Sequence, residues 1–117
     1  MSEKLSEHQI QSQIIQYLHS KGWHIERMNS GAMRQRDLRG KMYIIRLHEA
    51  GTPDLMAFKT LYDNDGGRIG ARLLFIEVKV PGNKPTRLQE LKMQQLHEKG
   101  ATCIIAHSVE EVEKVIQ

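Results

Sequence analysis

The sequence contains few of the residues that build disulfide-linked or base-stacking proteins. Its 117 residues include one Cys, three Pro, one Trp, three Tyr and two Phe. A single cysteine excludes a disulfide framework within the chain, and Cys103 lies in the apolar run TCIIA, which favours a small buried strand residue over a nucleophile or a metal ligand. The few aromatic side chains do not predict a surface on which nucleic-acid bases stack.

Long apolar runs are also lacking. No run approaches the roughly 18 residues of a transmembrane segment, and the first residues, MSEKLSEHQIQ, are polar. We therefore expect no signal peptide, no anchor and no membrane partner, but a soluble, intracellular, cytoplasmic protein. The length predicts one domain, residues 1–117, with one hydrophobic core.

Several catalytic and metal-binding patterns are missing. The six histidines have no zinc-like spacing, and no Ser or Cys has an identified base. The acidic stretch DNDG lacks the later ligands of a calcium loop and reads as a turn.

Positive charge is concentrated in one segment. The chain carries a net charge of +3, and residues 22–48 hold six cations against two acids. This predicts either a phosphate-binding surface or a solvated basic loop, and composition leaves both open. The candidate phosphate-binding residues are Arg34, Arg36, Arg39 and Lys41.

Capping and periodicity predict three helices. Ser6 with Gln9 and Thr86 with Gln89 form capping-box patterns, each followed by apolar residues at helical spacing and a terminal glycine. The first helix is predicted over about 7–20. Ser108 with Glu111 begins a third.

The remaining segments predict a mixed sheet. WHIERMN, KMYIIRL, DLMAFKTL, LLFIEVKV and TCIIA read as strands, and the Gly-flanked, Arg-rich connector SGAMRQRDLRG reads as a mobile loop. The helix between LLFIEVKV and TCIIA predicts a βαβ crossover, so these two strands should be parallel and neighbouring or nearly so. The fold class is α/β, a central sheet flanked by helices.

Three charged residues stand out within this sheet. Glu77 and Lys79 lie on one face of an otherwise apolar strand, and Asp54 begins another strand after the turn GTP. If a hairpin pairs these strands antiparallel, the carboxylates of Asp54 and Glu77 converge at one end of the sheet. Alternatively, the strand end emerges into solvent or its charges pair elsewhere.

Two converging carboxylates need a cation, and a hard divalent ion such as Mg²⁺ prefers oxygen ligands. Such an ion beside a lysine is typical of phosphodiester hydrolysis.

The order GTPD, then EVK, then a helix beginning TRLQ resembles the PD-(D/E)XK nuclease superfamily. More narrowly, the chain resembles a stand-alone virus-type replication-repair nuclease (VRR-NUC) domain over about residues 5–115. The similarity is carried by Glu7 on the first helix and by RMNSGAMR, GTPD, FIEVK, a Gln on the next helix and LHEKGATCIIAHSVEEV.

The resemblance implies a restriction-endonuclease-like fold with an α-β-β-β-α-β core that uses Mg²⁺ or Mn²⁺. Asp54, Glu77 and the backbone carbonyl of Val78 would bind the metal, and Lys79 would act on the attacking water. Glu7 and Gln89 match the supporting polar positions of the family. From the residues alone, Glu7 could equally complement the helix dipole and Gln89 could simply complete its capping box.

The implied function is a structure-selective DNA endonuclease acting on branched DNA, most simply a homodimer that resolves Holliday junctions in a bacterial or phage setting. The alternatives are a flap, nicking or single-strand-end nuclease, and a catalytically silent DNA-binding module of the same fold.

Overall fold

Two helices begin at the capping boxes that the sequence predicts. The computed structural model of the protein describes residues 4–28, 32–46 and 50–116, without the side chains of 32–35 and 43–46. Helix α1 spans Glu7–Ser20, α2 spans Arg87–Glu98 and α3 spans Val109–Ile116. At Ser6 and Thr86, the cap hydroxyl accepts from the backbone N–H three residues on, and the glutamine there accepts from the cap N–H. These reciprocal bonds fix both helix starts.

Four strands form the central sheet. They are β1 (His24–Arg27), β4 (Leu55–Tyr62), β5 (Arg68–Val78) and β6 (Thr102–Ala106), in the spatial order β1-β4-β5-β6. The first two pairings are antiparallel, and β5 and β6 are parallel, as the crossover through α2 predicts. The predicted mixed α/β sheet with an α-β-β-β-α-β core is confirmed.

The connector SGAMRQRDLRG, which joins the first two predicted strands, is not a loop throughout. Its residues 32–36 form a strand, so that prediction is wrong, whereas the strand predicted at KMYIIRL is confirmed. Strand β2 (Ala32–Arg36) pairs antiparallel with β3 (Met42–Arg46), and the two form a separate two-stranded sheet. We call residues 32–46 the cationic hairpin. The prediction of a loop gives weight to the charges and the flanking glycines, whereas the turn sequence Asp37-x-x-Gly40 favours a hairpin.

The turn of the cationic hairpin is closed by hydrogen bonds. The carbonyl of Asp37 accepts from the Gly40 N–H, and the Asp37 N–H donates to the Lys41 carbonyl, both at 3.0 Å. Gly40 has a φ of +82°, in the left-handed region that glycine adopts at least cost. This is a type I turn followed by a left-handed glycine, a common three-residue hairpin loop.

A second hairpin repeats the same turn. The stretch predicted as a turn joins β4 to β5 at residues 63–67, which we call the acidic turn. There Gly66 N–H donates to the Asp63 carbonyl at 3.1 Å, Asp63 N–H donates to the Gly67 carbonyl at 2.8 Å, and Gly66 has a φ of +84°. Strand β5 begins at Arg68, five residues before the predicted start, because the pairing with β4 continues to the turn.

The hydrophobic core lies on one face of the central sheet. Helices α1 and α3 cover alternate residues of the strands there. Helix α2 packs along β6, and its Gln89 contacts Glu77, whose side chain points to the opposite face. Within the described part of the chain, no helix has the length and apolar character to cross a membrane. The buried core residues are Ile10, Ile14, Leu18, Trp23, Leu55, Ala57, Leu74, Ile76, Val78, Ala106 and Val112.

Candidate functional site

The register of β4 and β5 brings Asp54 next to Glu77. Leu55 pairs with Ile76, so the residue before β4 stands opposite Glu77, with both side chains on the same face. The Val78 N–H donates to Asp54 Oδ2 at 2.8 Å, which fixes the carboxylate of Asp54 against β5. Both carboxyl residues are buried, Asp54 at 6% and Glu77 at 2% exposure. The convergence predicted from the sequence is therefore present.

The turn before Asp54 is fitted closely to the start of α2. Gly51 has a φ of +87°, and a Cβ there would lie 2.9 Å from both Leu88 Cγ and the Leu88 carbonyl oxygen. Only glycine combines this backbone conformation with so close an approach. The GTPD segment and the first turn of α2 are thereby held together, with Asp54 on one side and Gln89 on the other.

Glu77 is in an unfavourable environment for a carboxylate. Its burial, together with the charge and a side-chain hydrogen bond of Asp54 and the charge of Glu7, raises the pKa of Glu77 from 4.5 to about 8, while the charge of Lys79 acts in the opposite direction. The hydrogen bond between two carboxyl groups exists only while one of them holds a proton. Without that proton, Glu77 Oε2 is buried and has no hydrogen-bond partner among the described residues.

Lys79 supplies a positive charge two residues beyond Glu77. Its Nζ lies 3.8 Å from Glu77 Oε1, and its side chain is 15% exposed. The backbone N–H of Lys79 donates to the Ala106 carbonyl, so the residue is anchored to β6 after β5 has ended. The two groups form an ion pair at a distance longer than a hydrogen bond, and one ammonium balances at most one of the two carboxylate charges.

Gln89 completes its predicted capping box and also contacts the buried acid Glu77. Its Oε1 accepts from the Thr86 N–H at 2.8 Å to complete the capping box, and its Nε2 donates to Glu77 Oε1 at 3.1 Å. One amide therefore ties the start of α2 to the buried carboxylate. A capping pattern alone could not reveal the second bond, which requires knowing that α2 begins above β5.

This double role makes a testable prediction for Gln89→Glu. Glutamate keeps the capping box but removes the donor and places another negative charge against Glu77. We expect the variant to lose about 1–2 kcal/mol of unfolding free energy at pH 8 in urea titrations. Gln9→Glu is the matched control, because Gln9 holds the same capping position in α1. Equal losses in both variants would contradict a specific role for Gln89.

The other predicted site residues lie at different distances from this pair. Glu7, exposed in the first turn of α1, is close enough for its charge to raise the pKa of Glu77. The carbonyl of Val78 points to the same edge of β5 as its N–H, which faces Asp54. Arg36, Arg39 and Lys41 are exposed in the cationic hairpin, a sheet separate from the one carrying the carboxylates. The side chain of Arg34 lies outside the described residues.

His107 makes contacts between neighbouring elements that the sequence did not predict. Its Nε2 lies 3.1 Å from the Asn83 carbonyl oxygen, and its Nδ1 lies 3.2 Å from Glu111 Oε2. It thus connects the start of α3 to the loop between β5 and α2. Nothing in the spacing of the histidines signals this role, since the partner is a backbone carbonyl.

The pair of carboxylates fits a divalent cation. When both acids are ionised, they form an oxygen donor set whose two negative charges a single lysine does not balance, and Glu77 Oε2 then has no hydrogen-bond partner among the described residues. Mg²⁺ commonly uses one or two protein carboxylates and keeps several waters. Among the described residues, no group of three or more His, Cys, Asp or Glu side chains could hold a metal, so the donor set is limited to this pair and nearby backbone oxygen.

Comparison with known proteins supports the fold. Searches with the sequence against protein-family models and against curated proteins found no match. A solved structure described as a VRR_NUC domain matches with a TM-score of 0.60 and 20% sequence identity, over 94% of this chain and 92% of that chain. At this identity the likeness establishes the architecture, and it confirms the restriction-endonuclease-like fold implied by the sequence motifs.

Proposed function

We propose that residues 1–117 form a single VRR-NUC nuclease domain that hydrolyses phosphodiester bonds in DNA with Mg²⁺ or Mn²⁺. The observation that carries the proposal is the buried pair Asp54 and Glu77, with Lys79 directly after the strand that carries Glu77. Stability does not account for these charges, because burying two carboxylates together destabilises a protein unless a cation compensates them. The VRR_NUC-like architecture gives independent support.

Each side chain has a distinct role in this proposal. Asp54, Glu77 and the Val78 carbonyl hold the metal, which when bound stabilises negative charge on the phosphoryl group and makes a bound water more acidic. Lys79 donates to the attacking water and stabilises the developing negative charge. Gln89 keeps Glu77 oriented through the bond to Oε1, and the Val78 N–H does the same for Asp54. Glu7 contributes its negative charge from the rim of the site.

The substrate we propose is branched DNA, with the Holliday junction preferred. The cationic hairpin projects Arg36, Arg39 and Lys41 from a sheet separate from the acidic pair, so the protein can contact phosphates away from the scissile bond. Phosphate contacts select the shape of the DNA backbone rather than its base sequence. A flap or a nicked duplex offers similar contacts and is the alternative within the same chemistry.

The decisive test is a panel of labelled substrates. A four-way junction, a flap, a duplex and a single strand are incubated with Mg²⁺ or Mn²⁺, with Asp54→Ala as the inactive control. We expect metal-dependent cleavage, fastest on the junction, and none in the control. Unchanged cleavage by Asp54→Ala would reject the site, and binding without cleavage in any metal would instead indicate a silent DNA-binding module.

We also propose that two copies act together, because a four-way junction presents two equivalent strands and a two-fold dimer matches that symmetry. Exposed apolar side chains near the acidic turn, Leu61, Tyr62 and Ile69, offer a surface for self-association. The measurement is the molar mass in solution by light scattering, with and without junction DNA. A monomeric mass in both conditions would contradict the dimer.

Salt dependence tests the role of the hairpin cations. Arg36→Gln combined with Arg39→Gln should weaken binding to all sequences alike and reduce the slope of log Kd against log salt by about two, at roughly one counterion per lost phosphate contact. Fluorescence anisotropy at several NaCl concentrations measures the slope. Lys99→Gln, at the exposed C-cap of α2, is the control. An unchanged slope in the double variant would show that these arginines are solvated and do not contact phosphates.

A further inference from the structure

The tip of the cationic hairpin presents a leucine entirely to solvent. Leu38 is exposed at 108% of its reference area, more than any other exposed large apolar residue described. It occupies the first central position of the turn between Asp37 and Gly40. Exposed leucines scattered singly over a surface need no explanation, so the setting of this one decides its meaning.

The turn that carries Leu38 is stabilised by the side chain of Asp37. Asp37 Oδ1 accepts from the N–H groups of Arg39 and Lys41, each at 2.9 Å, in addition to the backbone bonds of the turn. The Arg36 guanidinium donates to the Gly40 carbonyl at 3.4 Å. Leu38 therefore projects from an ordered loop whose hydrogen-bonding groups face inward.

The acidic turn shows that this loop does not need a leucine. Asp63 Oδ1 accepts from the N–H groups of Asp65 and Gly67 at 2.9 and 2.8 Å, the same pattern that Asp37 makes. The position equivalent to Leu38 is Asn64, a residue that turns ordinarily favour. The two loops thus share a backbone design and differ at the tip, where one carries Leu-Arg and the other Asn-Asp.

The charges around Leu38 identify the kind of partner. Arg36, Arg39 and Lys41 surround the tip, and the one acid, Asp37, is occupied within the turn. A surface with cations around a projecting apolar side chain matches a nucleic-acid groove, where phosphates border stacked bases. Proteins that bend DNA insert apolar side chains such as leucine between base steps in this way.

We propose that Leu38 is a wedge that enters the base stack of DNA at or near a branch point while Arg36, Arg39 and Lys41 hold the adjacent phosphates. The inference rests on the proposed function for the identity of the ligand, and it adds a deformation of the DNA that cleavage alone does not require. Unstacking is least costly where pairing is already interrupted, so the wedge favours branched over continuous duplex DNA.

The experiment uses 2-aminopurine, whose fluorescence rises when it unstacks, placed in turn at positions around the centre of a four-way junction and in a matched duplex. The protein carries Lys79→Ala and is measured in EDTA, so that cleavage is negligible during the measurement. We expect fluorescence at one or two junction positions to rise by about threefold or more, with a smaller rise in the duplex. A second substitution, Leu38→Asn, introduces the residue that occupies the equivalent position of the acidic turn, Asn64. It should abolish the rise in fluorescence but increase Kd by less than about tenfold, because the phosphate contacts remain.

The controls separate this inference from the nuclease proposal. Asn64→Leu places a leucine on the acidic turn and should leave every signal unchanged. A fluorescence rise that persists in Leu38→Asn, or no rise at any position with saturating protein, overturns the wedge. Leu38-dependent binding to vesicles of phosphatidylcholine and phosphatidylglycerol without a rise on DNA also overturns it and identifies a membrane contact. The fluorescence experiment does not depend on cleavage. A protein that unstacks bases but does not cut DNA would therefore support the wedge and contradict the nuclease proposal.

Discussion

Replacement of Glu77 by Gln is expected to make the metal-free protein more stable at pH 8 and to abolish cleavage. Glu77 is buried beside Asp54, and its pKa is raised from 4.5 to about 8. Glutamine has nearly the same shape, keeps an oxygen for the Gln89 Nε2 to donate to, and provides an amide that can donate to Asp54. The substitution therefore removes a desolvated charge without opening a cavity.

The direction of the pH effect follows from proton binding. Between pH 4.5 and about 8, the folded protein keeps a proton on Glu77 that the unfolded chain has already released. Stability from this group is complete below the unfolded pKa and is lost as pH rises through the folded pKa. By pH 8 the loss is on the order of 4 kcal/mol, and Glu77→Gln should recover most of it.

Urea denaturation in EDTA at pH 5 and at pH 8.5 measures both effects. The native protein should lose stability between these values, and Glu77→Gln should show a smaller loss. Glu110→Gln, at an exposed site in the first turn of α3, is the control and should follow the native protein. Mg²⁺ should stabilise the native protein at pH 8.5 but not Glu77→Gln. A variant that is less stable than the native protein at pH 8.5 would contradict this account of Glu77.

Replacement of Lys79 by Ala is expected to reduce the cleavage rate by about 10²–10⁴-fold while junction binding changes little. Lys79 Nζ lies near Glu77 but is too far away for a hydrogen bond, which leaves its donors available to water and the phosphoryl group. Loss of an interaction that forms only as charge develops lowers the rate of the chemical step without affecting ground-state affinity.

Single-turnover cleavage and anisotropy on the same junction separate these quantities for Lys79→Ala. Lys99→Ala serves as the control for loss of one positive charge. A Kd raised as much as the rate is lowered would indicate a DNA-binding lysine. A rate within about threefold of the native protein would remove Lys79 from the chemistry.

Much of the site can be predicted from the sequence because it depends on local sequence signals and on the pairing of one strand with another. The GTP turn defines the start of β4, and the hairpin to β5 follows from the DNDG turn. Once these strands pair antiparallel, Asp54 must lie opposite Glu77. The capping boxes likewise specify the starts of α1 and α2 without any long-range information.

The features that the sequence does not predict depend either on tertiary placement or on the balance between a turn signal and a charge signal. Gln89 serves Glu77 only because α2 begins above the end of β5, an arrangement secured at Gly51. The sequence analysis predicts the second strand of the cationic hairpin but not the first, although the turn has the sequence Asp37-x-x-Gly40, because the density of arginine favours a loop. The same Asp-x-x-Gly signal predicts the turn at Asp63, where no dense positive charge competes with it.

The central claim is that Asp54 and Glu77 hold one divalent cation at the end of the sheet, and anomalous diffraction from crystals soaked in Mn²⁺ tests it most directly. The account predicts a peak between the two carboxylates, about 2.1 Å from an oxygen of each and within reach of the Val78 carbonyl. An absent peak at saturating Mn²⁺, or one bound elsewhere while the Asp54 and Glu77 carboxyl groups remain in direct contact, would contradict it.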